Sequence, residues 1–97
     1  MDYAAARSSV EKVLSAMPTC FPGDAWVVLE EYTIEREWGW VMFYDSKLHH
    51  DTDDTQYLVL GNTPYVVRRS DGKIFSTGTA HQVEYYIQEL ELAGFLP

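Results

Sequence analysis

The run Trp38-Gly39-Trp40-Val41-Met42-Phe43-Tyr44 contains no charge and no alternation of apolar with polar residues. Read as a strand, it sends Trp40, Met42 and Tyr44 to one face and Val41 and Phe43 to the other, because successive side chains of extended backbone point to opposite sides. A strand that is apolar on both faces needs cover on both. The cover is the N-terminal helix, a second copy of the chain or a partner protein, and the sequence leaves all three open.

The flanking elements have readable periods. Tyr3, Ala6, Val10, Val13, Leu14 and Met17 recur at three- and four-residue steps, one apolar stripe of an amphipathic helix. Pro18 and then Pro22-Gly23 end it. Asp24 leads into a strand on which Trp26, Val28, Tyr32 and Ile34 share one face, with Val27, Leu29, Glu31, Thr33 and Glu35 on the other. A tight turn around Arg36-Glu37 returns the chain into Trp38–Tyr44. Residues 45–55 hold four aspartates and show neither period, so a surface loop is expected there. Tyr57–Leu60 is a short apolar segment of open type, strand or turn.

Gly61-Asn62-Thr63-Pro64 reads as a turn. Ser70-Asp71-Gly72 lies between the β-rich runs Tyr65–Arg69 and Lys73–Ser76, a hairpin signal. Thr79 with Gln82 three residues later reads as a capping box opening a final helix. Its buried stripe is Val83, Tyr86, Ile87 and Leu90, and Gly94 is its stop. The expected class is α+β: a two-layer domain with an N-terminal helix, an antiparallel sheet of about four strands and a C-terminal helix. Residues 1–97 make one domain, and the lack of strand–helix alternation excludes a doubly wound nucleotide fold.

Fifteen acids against seven bases give a net charge of −8, which repels nucleic acid phosphates and anionic lipid. Neither nucleic acid nor a membrane is an expected partner. No apolar run approaches the roughly 20 residues that span a bilayer. Met1-Asp2-Tyr3-Ala4-Ala5-Ala6-Arg7 has an acid where an export signal carries positive charge. Cys20 is the single cysteine; it fits a reducing cytoplasm and reads as a small apolar filler.

The cluster His49-His50-Asp51-Thr52-Asp53-Asp54 has metal-ligand residue types. Adjacent histidines on an extended segment diverge, however, and the glycine and glutamate of a calcium loop are missing from their offsets. No metal and no cofactor is expected. His81, placed in the first turn of the last helix, has no Ser or Cys nucleophile fixed beside it by the sequence. Glycines 61, 72 and 78 do not make a phosphate loop. No enzyme activity is expected.

Gly39-Trp40-Val41-Met42-Phe43-Tyr44, Gly61-Asn62-Thr63-Pro64-Tyr65-Val66-Val67, Asp71-Gly72-Lys73-Ile74, Ser76-Thr77-Gly78-Thr79 and Glu84-Tyr85-Tyr86-Ile87-Gln88-Glu89 follow one another in an order that carries further information. Together they resemble the immunity protein 35 (YrhB-like) family of small bacterial proteins over roughly Trp26 to Glu91. The resemblance implies an antidote that binds a toxin made by the same cell, with a cognate toxin domain as partner, and the chain's acidity suits a basic one. A stress-related, chaperone-like protein that binds many unfolded clients is the rival the same resemblance allows. The chain itself is expected to be a monomer or a weak homodimer.

At least seven of the fifteen acids fall within residues 30–54. That local excess is costly in self-repulsion, and a basic partner would relieve it. The expected partner-binding surface therefore combines the hairpin acids Glu30, Glu31, Glu35 and Glu37 with the loop residues Asp45, His49, His50, Asp51, Asp53 and Asp54. Trp38 is its expected aromatic anchor, while Trp40 is expected to be structural.

Overall fold

A computed structural model of the chain describes residues 1–57, 63–78 and 80–96. Helix α1 (Tyr3–Ser15) forms on the expected stripe and buries Ala6, Val10 and Leu14. Asp2 caps it, its carboxylate accepting from the Ala5 N–H at 2.8 Å.

The expected single strand from Asp24 to Glu35 is instead two strands with a turn between them. β1 (Trp26–Val28) pairs antiparallel with β4 (Tyr44–Ser46), Trp26 opposite Ser46 and Val28 opposite Tyr44. β2 (Ile34–Arg36) pairs with β3 (Gly39–Met42), Ile34 opposite Val41 and Arg36 opposite Gly39. Between the two ladders the register slips by three residues. Those three, Glu30–Tyr32, are extruded as a 3-10 turn closed by Tyr32 N–H to Leu29 O at 3.0 Å and Thr33 N–H to Glu30 O at 3.1 Å. Leu29 still donates to Phe43 O at 2.8 Å, so the chain remains one long hairpin, bent at an oversized bulge. Opposite the bulge the second strand breaks at Phe43, which separates β3 from β4.

β3 also pairs with β5 (Tyr65–Arg68), and β5 with β6 (Ile74–Ser76), completing a four-stranded antiparallel sheet in the order β2-β3-β5-β6. The Asp71-Gly72 turn is found where expected. Asp71 accepts from Lys73 N–H at 3.1 Å and from Arg68 Nε at 2.8 Å. Gly39 has no room for a side chain: at φ +152°, a Cβ there would lie 1.9 Å from Val67 O. The close approach of β3 to β5 requires glycine at this position.

Both faces of β3 are covered by the chain's own helices. Trp40, Met42, Tyr44 and Val67 pack beneath α1. Val41, Val66 and Trp38 pack with Ile87 of α3 (Val83–Leu92) and with Leu96. Trp40, Val41 and Met42 are each at most 1% exposed. The α+β class, the terminal helices and the four-stranded sheet are as expected, but the layers are three, helix–sheet–helix. Cover for the second face comes from α3, and no second copy or partner is needed for it.

α3 starts later than the capping-box reading places it. Gln82 is its N-cap and makes no side-chain cap bond, and Thr79 lies outside the described residues. His81 therefore precedes the helix instead of sitting in its first turn. Tyr86 reaches back, its hydroxyl oxygen accepting from the N–H groups of Ala80 at 3.1 Å and His81 at 3.2 Å. At the other end Gly94, at φ +82°, gives its N–H to Glu91 O while Phe95 N–H reaches Leu90 O at 3.0 Å. This is the glycine stop, in a Schellman arrangement. The readings of residues 58–60 as a short segment and of Gly61-Asn62 as a turn fall outside the described residues.

Candidate functional site

Residues 45–55, expected as a loop, are mostly ordered by hydrogen bonds. Asp45 and Ser46 close β4, Lys47–Thr52 form a six-residue helix α2, and Thr55–Tyr57 form a 3-10 turn. A helix this short shows no apolar period, so caps specify it. Ser46 Oγ accepts from His49 N–H at 3.3 Å. Asp24, distant in sequence, accepts from Leu48 N–H at 3.0 Å and Ala25 N–H at 2.8 Å and also accepts from the Ser46 hydroxyl. Burial pushes the Asp24 carboxyl up, but the bonds from Ser46, Leu48 and Ala25 outweigh it and hold it below the usual carboxylate value. Asp53 ends α2 in the left-handed region at φ +54°, donating to His49 O at 2.8 Å. Asp54 accepts from Gln56 N–H at 3.1 Å and from its side-chain amide at 3.0 Å.

Many of the acids expected to face a partner therefore have work inside the fold. His49 Nδ1 lies 2.6 Å from Asp45 Oδ2, both side chains mostly covered. The bond to Asp45 raises the imidazole pKa, with burial opposing and the charges of Asp45 and Asp53 assisting. Asp51 pairs with Lys47 at 2.8 Å. Glu30 pairs with Arg7 of α1 at 2.9 Å and accepts from the Tyr3 hydroxyl at 3.3 Å. Glu35 pairs with Arg69 at 3.1 Å, and that guanidinium lies 4.4 Å over the Trp40 ring. His50 is exposed on α2. Among the described residues Glu31, Glu37, Asp53 and Asp54 make no ion pair.

These residues are spread along the hairpin and α2. Seven residues, 38–44, separate Glu37 from Asp45, eight steps or up to about 26 Å of extended chain. They occupy three stations: the closed end of the hairpin (Glu35, Glu37), the bulge (Glu30, Glu31) and the α2 end (Asp45, His49, His50, Asp51, Asp53, Asp54). Trp38 requires a correction. It is 5% exposed, and its indole N–H donates to Glu91 Oε1 of α3 at 3.2 Å. The C-terminal part of α3 covers it, so it is a core residue and offers no free ring to a partner. Cys20 is exposed and fills no core space.

The bulge also builds a feature the sequence did not reveal. A cleft of about 420 Å³ opens beside it, lined by Leu29, Tyr32, Ile34, Phe43, Tyr44, Thr63, Pro64, Val83 and Glu84. Tyr32, read as one of the apolar face of a continuous strand, stands 62% exposed at its lip. Only the register slip could have signalled this, and two-residue alternation across Trp26–Ile34 hides it. A second, more polar cleft of about 570 Å³ lies at the end of α1, between Arg7, Glu11, Met17, Asp24 and Trp26.

Among the described residues no group of three His, Cys, Asp or Glu side chains comes together as a metal site, and no helix is long and apolar enough to cross a membrane. A family model described as Immunity protein 35 matches residues 4–88, which runs from α1 into α3. The Escherichia coli (strain K12) protein described as uncharacterized protein YrhB is 32% identical over 54 residues, 56% of this chain and 57% of its own length. The chain thus spans little more than half of that relative. No solved structure matches it significantly.

Proposed function

The chain belongs to the immunity protein 35 family, and from that premise we propose that it neutralises a cognate bacterial toxin by binding it one to one and covering its working surface, without chemistry of its own. The observation that carries the reading is the extent of the family match: residues 4–88 take in nearly all of α1, α2, all six strands and the first six residues of α3, so the shared unit is most of the domain.

The charge distribution supports it. Eight of the fifteen acids lie in residues 30–54, accompanied by only two of the seven bases. Field from such an excess steers a basic partner toward the hairpin and raises the association rate more than the affinity. Glu31, Glu37, Asp53 and Asp54, without ion pairs among the described residues, are the acids free to meet it. Glu30, Glu35, Asp45 and Asp51 contribute field while their carboxylates stay engaged. His50 completes the α2 side of the surface, and His49 acts there through Asp45. The working compartment in this reading is the cytoplasm, where the toxin is made.

The test is co-expression with a candidate toxin domain, the variable C-terminal domain of a large secreted protein where the gene immediately upstream encodes one. Growth should be rescued, and the two chains should co-elute at equal stoichiometry. Failure to rescue, together with weak binding to many unfolded clients, would replace the immunity reading with the chaperone-like one.

A further inference from the structure

A three-residue bulge in the middle of a hairpin interrupts the ladder, and bulges commonly serve to re-aim a side chain. Here it lifts Tyr32 out of the sheet while Leu29, Ile34 and Phe43 remain behind as apolar walls, with Val83 and Glu84 of α3 on the far side. We infer that this cleft is the socket that anchors a protein partner, and that it receives an apolar or aromatic partner side chain flanked by an arginine or lysine. The inference rests on the toxin-binding reading above and specifies the partner's contact chemistry.

Charge selects this occupant. Among the described residues the lining contains no base, and the acids Glu31 on the bulge and Glu84 on the lining make no ion pair. A partner cation finds the Glu84 carboxylate on the lining of an apolar cleft, with Glu31 next to Tyr32 in the bulge, whereas an acidic segment is repelled. Tyr32 suits the lip of such a socket. Its ring and hydroxyl make no ring contact or side-chain hydrogen bond among the described residues, and tyrosine is enriched among residues that dominate binding energy. The volume of about 420 Å³ lies within the roughly 300–1,000 Å³ of pockets that enclose a ligand. The bulge is also held before any partner arrives, since Glu30 is tied to α1 by Arg7 at 2.9 Å and Tyr3 at 3.3 Å. Binding then orders little new structure.

Two experiments test this independently. In the first, the isotopically labelled protein is titrated with acetyl-Phe-Arg-amide, acetyl-Phe-Glu-amide and acetyl-Gly-Arg-amide and followed by NMR. Saturable shifts at Leu29, Ile34, Phe43 and Val83 are expected for Phe-Arg, with each of the others at least about tenfold weaker. Shifts centred elsewhere, or equal responses to all three, would overturn the socket. In the second, Tyr32→Ala and Glu31→Lys, both at exposed positions, are compared with the parent against the candidate toxin domain of the co-expression test. Tyr32→Ala should weaken binding about thirtyfold, chiefly through faster dissociation. Glu31→Lys should weaken it about tenfold, chiefly through slower, less salt-sensitive association. Parental affinity in both variants would discard the socket and leave the immunity reading standing. A parent that does not bind the toxin at all would discard the immunity reading, and the peptide titration would still decide the socket. Self-association abolished by Tyr32→Ala would overturn the proposal in favour of a second copy as occupant.

Discussion

At its closed end, where Arg36 pairs with Gly39, the long hairpin lies between two helices. Trp38 is pinned under α3, Trp40 under α1, and Gly39 is pressed against the backbone of β5. At its open end, where Trp26 pairs with Ser46, the hairpin runs into α2, which buries none of its residues and is held by Asp24, Ser46, Asp53 and the Asp45–His49 pair. One end is fixed by shape and apolar burial, the other by directed hydrogen bonds. An acid at the closed end leans over a packed core, while many acids at the open end are structural parts. Sequence acidity therefore overstates the charge a partner can meet.

The largest effect should come at the closed end. Gly39→Ala forces a Cβ into Val67 O and should cost about 3–5 kcal/mol in denaturant unfolding, or leave the chain insoluble. A stable Gly39→Ala protein would mean that β3 and β5 do not approach as described. Trp38→Ala comes next, at about 3 kcal/mol, with loss of toxin affinity no greater than the unfolded fraction explains. Normal stability with weakened binding would return Trp38 to the partner surface.

Effects at the open end should be smaller and local. Asp24→Ala removes the carboxylate that accepts from two backbone N–H groups and should cost about 1–2 kcal/mol, seen as faster amide exchange confined to Lys47–Thr52. Because the folded Asp24 carboxyl is held below its usual value, the unfolded chain binds more protons in that window. Its contribution is present above the unfolded value, about pH 4, and disappears as pH falls through the folded one. The Asp24→Ala difference should shrink accordingly in acid. A difference that stays constant down to pH 2 would show that the carboxylate is not the cap.

The smallest effect concerns His49 and has the opposite sign. Its folded pKa is raised by Asp45, so the pair contributes fully below the unfolded value of about 6.5. The contribution is lost as pH rises through the folded value. Comparing the stability of parent and His49→Gln across pH should show a gap in acid that closes in alkali. A gap that widens in alkali would contradict the pairing.

How much of this was legible follows the same division. The stripe of α1, the apolar strand around Trp40, the Asp71-Gly72 hairpin and the Gly94 stop each have a period or a local backbone demand, and each is where the sequence places it. The third layer was hidden because the stripe of α3 does not say which face of the sheet it covers. α2 was hidden because its principal cap, Asp24, lies more than twenty residues upstream. The register slip was hidden because Trp26, Val28, Tyr32 and Ile34 stay in one two-residue phase, broken only at Glu30, through a turn that breaks the strand. Of the candidate site, the acids were visible as a cluster in sequence, but their engagement with Arg7, Arg69, Lys47 and His49 was not. Trp38 looked exposed because its neighbour Glu37 is charged, and nothing local announces that α3 folds over it.

Stoichiometric occlusion is the centre of the account, and one titration addresses it directly. A purified candidate toxin domain, against which this protein protects cells, is held at fixed concentration, well above the dissociation constant, and its activity is followed as this protein is added. Activity should fall in a straight line and vanish at one equivalent, with both chains recovered chemically unchanged. Loss of activity at a small fraction of an equivalent would reveal catalysis, and activity persisting at several equivalents would show that the toxin is not its partner.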